Sequence, residues 1–153
     1  GGAGERRRPG PSGSPRPGPG AGPGGATVYN DTYNANPPSV IAAAAFLASL
    51  PGRSCFVLGD MGELGPEAED LHEEVGAAIR NTGVDALFAI GELSRHAVEA
   101  FGDNAAWFPS ADALSAALIP VLDGDTNVLV KGSRFMRMER VVEALLAAAG
   151  EGA

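Results

Sequence analysis

From Thr27 onward the chain alternates short runs of β-favouring residues with longer Ala- and Leu-rich runs, and that alternation restricts the fold more than any other feature. Parallel neighbours in a sheet need a crossover of a dozen or more residues between them, and such runs supply it as helices. Strands are predicted over 26–30, 54–59, 86–90, 105–108 and 127–131. Several are almost continuously apolar, as strands are when helices cover both faces of the sheet. The expected architecture is α/β: a Rossmann-like, three-layer domain with a mostly parallel sheet.

The helices carry their own start and stop chemistry. Ser39 and Ser110 are placed to accept hydrogen bonds from free N–H groups as N-caps, and Pro66 suits a first helical position. Glu67, Glu69 and Asp70 put negative charge in a first turn, and Gly83 reads as a C-terminal stop. Helical spacing assigns Leu71, Val75, Ala78 and Ile79 to the core, then Leu114, Ala117, Leu118 and Val121, then Val141, Val142, Leu145 and Leu146. Met136 and Met138 are expected in the start of the last helix as gap-filling side chains.

Residues 1–26 have a different composition, with ten Gly and six Pro. Such a segment cannot build a core, so the domain is expected to span 27–153 with a disordered tail before it. Gly, Pro, Arg and Ala are the residues of the most G+C-rich codons, which raises the expectation that residues 1 to about 25 are a non-native reading frame. The tail holds four Arg against one Glu, so the remainder has seven Lys or Arg against eighteen Asp or Glu, a net charge of −11. A body this acidic repels phosphate backbones, and a nucleic-acid partner is not expected. No apolar run reaches the length of a membrane helix. One cysteine cannot make an internal disulfide, and the tail lacks the apolar centre of a secretory signal. A soluble, cytoplasmic monomer is the expectation. Cys55, inside an apolar strand, is expected to be a buried thiol.

Three polar motifs follow predicted strands: Asp31-Thr32-Tyr33-Asn34-Ala35-Asn36-Pro37, Gly59-Asp60-Met61-Gly62-Glu63-Leu64-Gly65 and Lys131-Gly132-Ser133-Arg134. Strands of a parallel sheet point their carboxyl ends to one edge, so these loops should line one crevice. Asp31 could hold a ribose diol there, and Asn34 and Asn36 carry donors and acceptors suited to a base edge; the same residues also suit a turn that caps a helix. Glycines at 59, 62 and 65 match no phosphate-binding fingerprint, and they fit either a loop that projects Asp60 and Glu63 toward the crevice or a purely structural turn. Lys131 and Arg134, at a strand end and a helix start, favour an anionic ligand, carboxylate or phosphate. His72 and His96 have no second ligand at metal spacing and are expected to be partly exposed or cap-bonded, and no metal site is assigned. Trp107 reads as a packed strand end.

With these residues in hand, the chain resembles the C-terminal domain of the bacterial Mur ligases. The resemblance is strongest to the MurF type, which joins D-alanyl-D-alanine to a UDP-N-acetylmuramoyl tripeptide. It runs from about Thr27 to Leu146 and rests on the three motifs taken together. It implies a domain that closes over ATP held mainly by a central domain, with Mg²⁺ also bound there. It further implies ATP contacts from Asp31, Asn34 and Asn36, catalytic cations at Lys131 and Arg134, and substrate contacts from Ser133 and, more loosely, Asp60 and Glu63. The chain has no G-x-x-x-x-G-K-[ST] loop and no counterpart of the family's N-terminal and central domains, so alone it is expected to be inactive. The competing reading is a free-standing, non-catalytic Rossmann-like module that binds a nucleotide or small anion.

Overall fold

A computed structural model describes residues 18–152. Its strands are β1 (Gly20–Ala21), β2 (Thr27–Asp31), β3 (Arg53–Gly59), β4 (Ala86–Ile90), β5 (Ala105–Phe108) and β6 (Thr126–Lys131). The helices are α1 (Pro37–Ser49), α2 (Ala68–Thr82), α3 (Ser94–Phe101), α4 (Ala111–Leu118) and α5 (Glu139–Gly152). The strands form one sheet in the order β1-β2-β6-β3-β4-β5, parallel throughout except where β1 runs against β2. The three-layer α/β expectation holds, and the five expected strands are present to within one residue.

Side chains alternate across the sheet as the pleat requires. On β3, Phe56 and Leu58 face a layer containing Val40 and Leu47 of α1, Val75 and Ile79 of α2, and Ala97 and Phe101 of α3. Cys55 and Val57 face the opposite layer, where Leu114 and Leu118 of α4 meet Val141 and Leu145 of α5. With both faces covered, β3 is buried from Ser54 to Gly59 and its sequence loses the apolar-polar alternation of a half-exposed strand.

Four local expectations change. The N-cap of α1 is Asn36, and Ser39 is the third helical residue. Asn36 Oδ1 accepts from the Ser39 N–H at 2.9 Å while Ser39 Oγ accepts from the Asn36 N–H at 3.1 Å. Pro37 and Pro38 take the first two positions because neither has an N–H to leave unpaired there. Ser110 does cap α4, accepting from the Ala113 N–H. Met136 and Met138 precede α5: residues Arg134–Met136 make a single 3₁₀ turn, and Met138 is buried just before Glu139 begins the helix.

The third change concerns the core list, from which Ala117, Val121 and Leu146 drop out as exposed. Val121 follows Pro120 in a 3₁₀ turn, so the α-helical spacing that assigned it to the core no longer applies. The fourth concerns the start of the fold. Residues 1–17 lie outside the described residues, but 18–26 belong to the structure: β1 pairs with β2, Pro23 and Ala26 are buried, and Pro23–Gly25 packs on α5.

Candidate functional site

The three motifs do share an edge. Asp31 ends β2 directly opposite Lys131 at the end of β6, and Lys131 is in turn opposite Leu58 on β3. The loops beginning near 31, 59 and 131 therefore leave three adjacent strands side by side.

Lys131 is not an open cation. Its side chain is 6% exposed and its ammonium donates to Asp31 Oδ2 at 3.1 Å and to the Asn34 carbonyl at 3.0 Å. The strand end thus spends its charge on holding the first motif against the third. The helix start expected at 132–134 is the single 3₁₀ turn Arg134–Met136, and α5 begins only at Glu139. Arg134 is exposed, with its guanidinium carbon 4.9 Å from the centre of the Tyr33 ring. That contact joins the rims of the first and third loops while Arg134 stays exposed.

The second loop is built inward. Both Asp60 carboxylate oxygens accept from the start of α3, one from Ser94 N–H at 2.8 Å and the other from Leu93 N–H at 3.2 Å. Asp60 is buried and caps α3, which matches the structural one of the two readings its loop offered. Glu63 is exposed, with a positive φ of 59°. Ser133 is buried: its N–H donates to the Asp60 carbonyl and its Oγ accepts from the Gly62 N–H. The second and third loops are therefore tied to each other by main-chain contacts through one serine.

Asn34 is exposed at the rim, and Asn36, also exposed, commits its Oδ1 to the cap of α1. Burial pushes the Cys55 thiol up to about 11, as expected for a packing residue. His96 stands 3.9 Å from Glu69 near the surface. Trp107 donates to the Gly91 carbonyl and carries Arg95 over its face, a packed strand end as expected. His72 departs from expectation: it is fully buried, bonded to the Met61 N–H and the Ala68 carbonyl. Sequence reading also passed over Tyr33 and Phe135, the two most exposed large apolar side chains among the described residues. Tyr33 sat in plain view between Asp31 and Asn34, but nothing in the order of residues signals that Arg134 lies on its ring. Among the described residues no three His, Cys, Asp or Glu side chains gather as metal ligands, and no helix is long and apolar enough to cross a membrane.

The model of the Mur ligase, glutamate ligase domain family matches residues 20–134, an interval that contains all three loops and also β1. The chain belongs to that family. Its relatives include the UDP-N-acetylmuramoyl-tripeptide–D-alanyl-D-alanine ligase of Escherichia coli (strain K12), 40% identical over 118 residues, which cover 76% of this chain and 26% of that one. Among solved structures, MurF from Acinetobacter baumannii superposes with a TM-score of 0.74 at 31% identity, over 80% of this chain and 28% of that chain. The MurF ligase from Thermotoga maritima in complex with ADP shares the fold, with a TM-score of 0.78 at 24% identity over 90% of this chain and 33% of that chain. The chain thus spans about a quarter of the length of the curated relatives it matches.

Proposed function

We propose that this chain acts as the C-terminal domain of an ATP-dependent amide ligase that adds D-alanyl-D-alanine to a UDP-N-acetylmuramoyl tripeptide, in the cytoplasm, during synthesis of peptidoglycan precursors. The observation that carries the reading is the side-by-side exit of the three motif loops from β2, β6 and β3. ATP supplies the phosphoryl group that turns the tripeptide carboxylate, a poor electrophile, into an acyl phosphate, with Mg²⁺ balancing the phosphate charge.

The chain's own residues suit a closing role. Asp31 offers a carboxylate at the strand end, 21% exposed and oriented by Lys131, which suits a ribose diol. Asn34 and Asn36 stand exposed beside it, where a base edge would lie. Lys131 then works through Asp31 as a positioning residue. Arg134, stacked on Tyr33 and open to solvent, is the cation placed to meet negative charge as the dipeptide amine attacks. Ser133 and Asp60 fix the backbone beneath it, and Glu63 is exposed on the neighbouring loop. Magnesium and the phosphates are assigned to the rest of the ligase, and the working unit is one copy of each domain.

The test is to mix this chain with separately made N-terminal and central domains of such a ligase and follow phosphate release. Release that requires tripeptide, D-alanyl-D-alanine and this chain together is the expected result. Tight nucleotide or anion binding by the chain alone, with no complementation, would instead make it a free-standing binding module.

A further inference from the structure

The segment after β3 is gripped from two sides. Successive main-chain groups of residues 60–62 go to opposite partners, the alternation that an extended backbone produces. The Asp60 carbonyl and the Gly62 N–H both engage Ser133, and the Met61 N–H between them donates to His72 Nε2 at 3.0 Å. A ring nitrogen that accepts carries no hydrogen, so the imidazole hydrogen is on Nδ1 and donates to the Ala68 carbonyl at 2.8 Å. The ring is fully buried with both nitrogens used, so it cannot itself reach a substrate.

We propose that His72 is a positioning residue for the third motif. By holding the Met61 N–H, it fixes the height of residues 60–62 over α2. Ser133, bonded to the two flanking groups, takes its place from that segment, and Arg134 follows one residue later at the exposed rim. The Asp60 carboxylate, bonded to the start of α3, anchors the same segment in a second direction. Without an acceptor at position 72, the Met61 N–H would be buried and unpaired, and the segment would shift to find a partner. The coupling of His72 to Ser133 stands on geometry alone, whereas its consequence for catalysis rests on the ligase reading above.

Two measurements on the chain itself address the coupling. In the wild type, nuclear magnetic resonance should show His72 with hydrogen on Nδ1 and a scalar coupling across the hydrogen bond from the Met61 amide nitrogen to Nε2; hydrogen on Nε2 overturns the proposal. In His72→Phe, amide exchange at Gly62 and Ser133 should rise about tenfold while Val57 and Val130 stay protected, the local opening expected from loss of one buried hydrogen bond. His72→Gln, whose Oε1 can accept from Met61, should restore protection. A uniform rise across the sheet, or none at Ser133, overturns it, and should His72→Phe not fold, the wild-type spectrum and the Gln variant decide.

In the ligase reassembled from its domains, His72→Phe should lower kcat about tenfold, because Arg134 acts on charge that develops as the amine attacks, and leave KM for ATP unchanged. An unchanged kcat, or a loss confined to KM for ATP, overturns the catalytic consequence. No turnover with the wild-type chain would sink the ligase reading, and the exchange experiment would still judge the coupling.

Discussion

Lys131 and Asp31 are 100 positions apart in the sequence and 3.1 Å apart in the fold. An ammonium this buried is stabilised only while its acceptors stay in place, so the pair resists removal of either partner more than a surface pair would. Asp31→Ala, which leaves the buried ammonium without its carboxylate, should therefore cost about 3 kcal/mol in urea unfolding, the scale for uncoupling a buried ion pair; a change below about 0.5 kcal/mol would mean the contact is no more than a surface pair. Cys55 gives a second check at this scale. Desolvation by burial raises its pKa to about 11 from an ordinary 9.0. The neutral thiol is the form favoured by folding, so that contribution is intact below pH 9 and is lost as pH rises toward 11. Iodoacetamide should accordingly leave the native chain unlabelled at pH 8 and label it readily in urea; fast native labelling would contradict the buried setting. The sequence announced Cys55 correctly, because an apolar run is a local signal. The partners of Lys131 and Asp60 were not legible in the same way, because they are chosen by strand order and by the helix that follows β4, neither of which is visible from the residues around them.

At the scale of elements, α/β alternation, the Ser110 cap, the Gly83 stop and most core faces were legible, because each is written within a dozen residues; the cap of α1 was not, since Asn36 and Ser39 bond each other and either could begin a helix. What helix spacing could not show is how closely two helices approach. Gly76 of α2 lies against α3 so tightly that a Cβ there would sit 2.2 Å from the Ala97 carbonyl oxygen, a backbone atom that cannot rotate away. Helix propensity alone says that Ala should improve any helical Gly by about 1 kcal/mol. Packing reverses the sign: Gly76→Ala should destabilise by about 2 kcal/mol or more through overpacking, measured by thermal or urea unfolding. Gly150 of α5 has nothing within 4 Å of a Cβ, so Gly150→Ala should be neutral or stabilise by up to about 1 kcal/mol. Opposite signs at two helical glycines would show that the α2–α3 approach, not propensity, requires Gly76; equal effects would dismiss it.

For the molecule as a whole, composition puts the start of the fold near Thr27, whereas β1 and the turn Pro23–Gly25 lie ahead of it. A Gly/Pro run ordinarily signals disorder, but here part of it is demanded by close approach. Gly24 has φ of 66°, and a Cβ on it would be 2.5 Å from the Leu122 carbonyl oxygen, in the loop that leads into β6. Pro23 and Ala26 are buried, and Gly20 and Ala21 cover the outer edge of β2. If the chain began at Thr27, β2 would become the sheet's edge, with its main-chain groups bare and part of α5 uncovered. Bare edges invite pairing with other chains. A chain starting at Gly18 keeps β1 paired on β2 and is the reference for the comparison. One starting at Thr27 should lose about 2 kcal/mol, the scale of a few buried apolar contacts together with the β1–β2 pairing, and should self-associate. Equal stability for both truncations would return the boundary to Thr27 and make β1 an incidental contact.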